Sequence, residues 1–164
     1  MFVRLAVVAL ALVGLGLAVR LYMSRSGEDR LRAGEAIDIR QLREPIPGNA
    51  FLACPPDYCQ AMAAPSPIFS LPAARLVQLW TQMMTGEPRI VIVTDEPQQH
   101  RLVIIQRTPL LRFPDIVTVE FVAIDDNRSS LAVYSRARYG SGDFGTNRRR
   151  VLAWLGRIEQ LAHQ

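Results

Sequence analysis

Residues 115–139 read DIVTVEFVAIDDNRSSLAVYSRARY, and the fold turns on how that run divides. Val117, Val119, Phe121 and Ala123 alternate with Thr118, Glu120 and Val122, the period of two that sends successive side chains to opposite faces of a strand. The polar run DDNRSS (125–130) then reads as a turn, because Asp, Asn and Ser side chains bond their own backbone in bends. A second strand follows at 131–139, with Leu131, Val133, Ala137 and Tyr139 facing one way and Tyr134, Arg136 and Arg138 the other. Two antiparallel strands with one apolar face need a covering layer.

The flanking sequence supplies both more strands and the cover. RIVIVT (89–94) and RLVIIQR (101–107) surround a turn holding Pro97 and read as a β-hairpin by length and β-branched content. Upstream, Ser70 is placed to cap a helix running to about Met84, whose Leu76, Leu79, Trp80, Met83 and Met84 fall on one face before Gly86-Glu87-Pro88 ends it. Downstream, GSGDFG (140–145) leads into a helix over 147–162 with Val151, Trp154, Leu155, Ile158 and Leu161 at helical spacing. With a short strand near Ile68-Phe69 the order is β-α-β-β-β-β-α. This predicts an α+β fold: a four- to five-stranded antiparallel sheet with two helices on one face. By analogy it is helix-grip-like, with a hollow expected between the sheet and its last helix.

The N-terminus is of another kind. LAVVALALVGLGLAV (5–19) is uncharged, and snorkelling of Arg4 and Arg20 extends the apolar span to 2–23, roughly 33 Å at about 1.5 Å per residue. The expected organisation is a single-pass anchor over 1–24, a tether over 25–50 with one short helix around Asp29–Arg32, and a domain over 51–164. Its rival is a cleaved signal peptide, with Arg4 as its charged start and Gly16-Leu17-Ala18 as a small-x-small site. Arg20, Arg25, Arg30 and Arg32 beyond the span favour a cytoplasmic domain by the positive-inside bias, whereas paired cysteines favour an oxidising compartment. The expectation adopted is a bacterial inner-membrane protein with its domain in the periplasm.

Net charge is +4 and the basic residues, all nineteen of them arginine, are scattered, so nucleic acid is not an expected partner. A small anion or anionic lipid suits the charge better. GSGDFG matches G-x-G-x-x-G between a strand and a helix, but a dinucleotide site also needs a further parallel strand with an acid about twenty residues on, which the sequence to Gln164 does not supply. Two readings stay open for Arg148, Arg149 and Arg150 in the first turn of that helix: they hold an anion there, or they pair with Asp115, Asp125 or Asp143 against the helix dipole. His100 and His163 fall at a turn and a terminus, and Asp95-Glu96 and Asp125-Asp126 at turns. G-x-S-x-G, H-E-x-x-H, C-x-x-C-H and Walker signatures are absent. An enzyme is disfavoured, and neither a metal nor a cofactor is expected.

The only two cysteines stand in ACPPDYCQ (53–60). A Cys54–Cys59 disulfide would close a six-residue loop, a clip of roughly 2 kcal/mol by loop entropy. Free buried thiols, a redox pair and half of a shared metal site are the alternatives, although C-x4-C departs from the redox spacing and zinc needs two more ligands.

CPPDYC (54–59), RTPLLRFPDIVTVEF (107–121) and SRARYGSGDFGTNRRRV (135–151) together resemble the bacterial and plastid family called domain of unknown function 1499, over about 51–161. The residues carrying the resemblance are Cys54, Cys59, Arg112, Phe113, Pro114, Asp115, Ser135, Arg136, Arg138, Gly140, Asp143, Gly145, Asn147, Arg148, Arg149 and Arg150. Tyr58, Gln60 and Ala61 depart from it, since the family tends to asparagine and serines there. The resemblance implies an envelope or membrane setting and no activity. The expected function is a membrane-anchored, non-enzymatic module binding a small, anionic or lipid-like ligand or a membrane-protein partner. Its patch would hold Arg112, Asp115, Arg136, Arg138, Asp143, Asn147 and Arg148–Arg150. Alternatives are an accessory subunit docking through the apolar helix, with Gly14 and Gly16 easing close approach, and an envelope enzyme. A deep pocket lined by a shifted Asp115 or Asp143 would signal the last.

Overall fold

The computed structural model describes residues 2–25, 37–96 and 100–164. The apolar N-terminus is one helix, α1 (Phe2–Arg25), and its stretch Arg4–Ser24, with a mean hydropathy of 2.2, is long and apolar enough to cross a membrane. After a single 3-10 turn at Ile39–Gln41 come β1 (Ala50–Cys54), β2 (Ala64–Pro65), β3 (Ile68–Phe69), α2 (Ala73–Thr85), β4 (Ile90–Glu96), β5 (Arg101–Arg107), β6 (Pro114–Ala123), β7 (Ser129–Ala137) and α3 (Thr146–Ala162).

The architecture is α+β, and both domain helices lie on one face of the sheet. The sheet is larger than the sequence predicts, with seven strands in the order β2-β1-β7-β6-β5-β4 and β3 on the edge of β7. It is mixed rather than antiparallel, because β1 pairs parallel with β2. AFLAC (50–54) was legible only as the approach to the cysteines, yet it pairs with β7 from Ala50↔Arg136 to Ala53↔Val133. β2 and β3 are two-residue bridges, too short to leave a period of two. The predicted Ser70 cap is also replaced: α2 starts at Ala73 behind Pro72, and no side chain caps it. Proline's fixed φ and missing N–H suit a helix start without such a cap. The predicted turn at Pro97 and the short helix around Asp29–Arg32 lie outside the described residues.

Trp80 sits at the centre of the helix-covered core, edge-on to Phe121 at 6.2 Å and to Trp154 at 5.8 Å. Leu76, Met83, Val119, Leu131, Val133, Val151 and Ile158 close around them, so the space in which a hollow was expected is filled with side chains. On the opposite face Leu52, Cys54, Ala132 and Tyr134 are covered by Ile39, Leu42, Ile46 and Tyr58. Residues 37–46, assigned from sequence to a tether, thus pack against the sheet. Cys54 and Cys59 form the disulfide, with Cα atoms 6.2 Å apart, at the end of β1. Asp57 within that loop takes φ 62, the left-handed conformation that Asp tolerates better than most residues.

Hydrogen bonds tie the last turns of α1 to the domain. Arg20 Nη1 donates to the Leu110 carbonyl at 2.8 Å, and Arg107 Nη1 donates to the Met23 carbonyl at 2.6 Å.

Candidate functional site

The closing block of the sequence, 135–150, builds one end of the sheet. In register, Asp115 on β6 stands between Gln106 on β5 and Ala137 on β7, one row from Ser135, all beneath the first turn of α3. α3 begins after Gly145, whose φ of 73 is the left-handed turn that glycine adopts without strain. The N–H groups of Gly145 and Asn147 donate to Asp143, at 2.9 and 2.6 Å to its two carboxylate oxygens. Asp143 thus accepts from two N–H groups at this helix start, where an external anion was one of the two readings.

Arg150 reaches down from the first turn of α3 into the sheet. Its Nη2 lies 2.5 Å from Asp115 Oδ2, its Nη1 donates to Ser135 Oγ at 2.9 Å and Asn147 Oδ1 at 2.6 Å, and its Nε donates to Gln106 Oε1. Asn147, fully buried, accepts from Ser135 Oγ at 2.6 Å and donates to the Asn49 carbonyl at 2.9 Å. Asn49 in turn donates to the Gly140 carbonyl at 2.6 Å, which fixes the start of the glycine loop. Arg150 thus reaches four side-chain acceptors, and Ser135 and Asn147 are bonded to each other as well, the pairing that a buried polar cluster requires. Burial holds the Asp115 carboxyl above its ordinary value, against the pull of Arg150, and the nearby Asp143 charge pushes the same way.

Of these residues, Asp115 and Asp143 line a pocket of about 400 Å³ at the sheet's end. Phe113, Pro114, Ala137, Tyr139 and Phe144 supply apolar surface to it, with Thr108, Asp115, Asp143 and Thr146 as the polar groups. Phe113 and Tyr139 stack at a tilt, 6.3 Å apart. The 108–113 loop is closed by two bonds between Thr108 and Phe113, N–H to carbonyl at 2.9 Å and N–H to Oγ1 at 3.0 Å. The 140–146 loop forms the other wall.

The predicted patch is divided. Asp115, Asp143, Asn147 and Arg150 come together as described. Arg149 lies at the edge, donating to the Phe144 carbonyl at 2.8 Å, and Arg148 is exposed. Arg136 belongs to the opposite face of the sheet, since it pairs in register with Ile116 while Asp115 pairs with Ala137. Arg138 is exposed beyond the strand, its N–H donating to the Pro114 carbonyl at 3.2 Å. Arg112 contributes backbone: its carbonyl accepts from Arg107 at 3.3 Å, and its φ of 63 forms the bend before Phe113. Sequence reasoning missed Gln106, Asn49, Thr108, Tyr139 and Phe144. Gln106 had a signal, being the one polar residue on the inward face of RLVIIQR, beside Leu102 and Ile104.

A second pocket, about 480 Å³, lies at the other end of β6 and is lined by Asp38, Arg40, Tyr58, His100, Arg101 and Glu120 among others. Tyr58 donates to Glu120 Oε2 at 2.9 Å, and the Arg40 guanidinium sits 5.9 Å from the Tyr58 ring centre. Burial, then the charge and hydrogen bond of Glu120, push the Tyr58 hydroxyl up to about 12.

Among known proteins, the family described as Protein of unknown function (DUF1499) matches residues 49–158, about two thirds of the chain, and the chain belongs to this family. No curated protein and no solved structure matches it.

Proposed function

We propose that this member of a family without an assigned activity is a membrane-anchored binding module, which takes a lipid-like amphiphile in the pocket between the 108–113 and 140–146 loops. The observation that carries the reading is that pocket: about 400 Å³, walled by the Phe113 and Tyr139 rings with Pro114 and Ala137, and with Asp115 and Asp143 among its few polar groups. That size falls in the range of about 300–1,000 Å³ typical of small-molecule sites, and a mostly apolar wall with few polar groups suits an acyl chain bearing a polar head. Its position supports the same reading, because the 108–113 loop is hydrogen-bonded to the end of α1. α1 acts as the anchor, and the Cys54–Cys59 disulfide favours a periplasmic domain, since such bonds persist in oxidising compartments.

The test is native mass spectrometry of the full chain released from nanodiscs. A bound amphiphile is expected on the wild type and is lost in Gly142→Leu, which projects a side chain into open space at the pocket wall. A wild type without adduct, or an adduct indifferent to Gly142→Leu and Ala137→Leu in folded protein, would falsify the reading. A reporter fused after Gln164 tests the side: activity of a cytoplasmic reporter rejects the periplasmic placement.

One observation favours a second reading. Asp115 lines the pocket with its carboxyl held above the ordinary range, the condition for a general acid acting on an envelope substrate. Recovery of the bound molecule chemically unchanged after long incubation decides for binding, and its conversion decides for an enzyme.

A further inference from the structure

The two loops that wall the pocket each hold a large apolar side chain out into solvent. Leu110, at the tip of the 108–113 loop, is 74% exposed, and Phe144, on the 140–146 loop, is 98% exposed. Neither is left there by a slack chain. The Thr108–Phe113 bonds close the first loop behind Leu110, and the second is fixed by Asp143 at Gly145 and by the Arg149 bond to the Phe144 carbonyl. Phe144 also takes φ 53, a left-handed conformation unfavourable for an aromatic residue. A site that combines backbone strain with full exposure of a ring is disfavoured in water on both counts, and such outliers gather at functional surfaces.

The position of α1 says what covers Leu110, and Phe144 stands on the other loop of the same pocket. The carbonyl at the loop tip, Leu110, is bonded to Arg20, and Arg107 at the loop's base is bonded to Met23, so the loop lies alongside the last turn of a segment that runs to Ser24. At about 1.5 Å per residue, residues 20 to 24 rise only about 6 Å. The polar layer on each side of a bilayer core is of similar depth, roughly 5–8 Å. A loop fixed at this height stands within that layer, and a leucine projecting from it reaches the hydrocarbon boundary.

We propose that Leu110 and Phe144 are the two points at which the domain enters the interfacial layer of the membrane that α1 crosses, so that the pocket between them opens onto lipid rather than bulk water. Arg20 and Arg149, whose guanidiniums bond the carbonyls of Leu110 and Phe144, bring positive charge to both contacts, as anionic headgroups favour. This inference rests on α1 spanning the bilayer, and it assigns the surface and direction by which a lipid reaches the proposed pocket.

The experiment uses the full chain in nanodiscs containing lipids brominated both near the head of the acyl chain, to reach 110 and 144, and near its end, to reach the bilayer centre. Tryptophan is introduced singly as Leu110→Trp, Phe144→Trp, Ile68→Trp or Leu12→Trp, over the constant emission of the buried Trp80 and Trp154. Ile68 is an exposed control on β3, which pairs with the opposite end of β7. Leu12 lies within α1. The expected result is loss of most of the added emission at 110, 144 and 12, with emission at 68 unchanged. Quenching at 12 without quenching at 110 and 144 overturns the docking surface while leaving the anchor intact. Absence of quenching at 12 overturns the anchor and the docking surface together. Because the added residues at 110 and 144 replace exposed side chains, unchanged near-ultraviolet circular dichroism is expected and verifies each variant's fold.

Discussion

β6 carries a buried carboxylate towards each of its ends, and the two are held by opposite means. Asp115 and Glu120 are five residues apart, an odd spacing that puts them on opposite faces and about 17 Å apart along the strand. Asp115, 3% exposed, faces the helices and is met by a permanent cation, Arg150, within a closed set of Gln106, Ser135 and Asn147. Glu120, 7% exposed, faces the other way and is met by a neutral phenol, Tyr58, on a loop that a disulfide keeps in place. The first arrangement fixes the floor of an apolar pocket through several elements at once. The second joins Glu120 to a phenol on a disulfide-closed loop, with Arg101 opposite it in register and a charged pocket alongside. At the pocket nearer α1 the carboxylate is thus held by a side-chain network, whereas at the far pocket the disulfide-closed loop 54–59 supplies its phenol partner.

The largest expected effect tests the network. Arg150→Met leaves Asp115 buried without its cation and should destabilise the domain by about 3–5 kcal/mol, measured by denaturant unfolding of the full chain in detergent. Arg150→Lys should recover only part of this, since one ammonium cannot span the four acceptors that the guanidinium reaches. A loss below about 1 kcal/mol would show that the cluster behaves like an exposed ion pair and remove the contrast with Glu120. The pH dependence carries a sign. Burial raises Asp115 above 3.8, so its contribution to stability is complete below pH 3.8 and is lost as pH rises through the higher folded value. Asp115→Asn should flatten that part of the stability curve, and an unchanged curve would place the titration elsewhere.

How much of this was legible in the sequence follows from how local each signal is. β6 and β7 alternate because one face meets the helices, and Leu76, Trp80, Trp154 and Ile158 recur at helical spacing for the same reason, so these elements were read correctly. β1 escaped because its partner, β7, lies some eighty residues on and its five residues end in a cysteine followed by two prolines. Asp115 and Arg148–Arg150 were singled out, and pairing with an aspartate was one of the two readings kept. Which arginine pairs was not legible, since it depends on the rotation of α3 over the sheet. Arg136 was grouped with Asp115 on the expectation that the stretch holding Asp115 reaches the strand face of Arg136 and Arg138, and register separates them. Phe144 gave no periodic signal, being a single aromatic between glycines, and only its exposure identifies it.

The clip at the far end should matter less. Replacing both Cys54 and Cys59 by serine removes a six-residue loop closure worth roughly 2 kcal/mol. The loss should appear equally on reduction of the wild type. Ligand mass on the proposed amphiphile pocket should not change, because nothing in 54–59 lines it. Loss of the adduct in the serine variant would break the independence of the two ends.

Tyr58→Phe is the smallest and most specific perturbation. It removes the hydroxyl from Glu120 while keeping the ring against Arg40, and because water can reach the half-buried site the expected loss is only about 1 kcal/mol. Its signature is spectroscopic. Tyr58 is raised from 10.0 to about 12, so its contribution to stability is complete below pH 10.0 and disappears as pH rises to about 12. Tyrosinate absorbance should therefore contain a late component near 12 that is missing in Tyr58→Phe. Breaking the disulfide should move that component back toward 10.0 if the clip is what holds the phenol on Glu120. A component that stays near 12 after reduction would mean that packing against Ile39 and Leu42 holds Tyr58 unaided, and that both ends of β6 are kept by the fold rather than by a covalent bond.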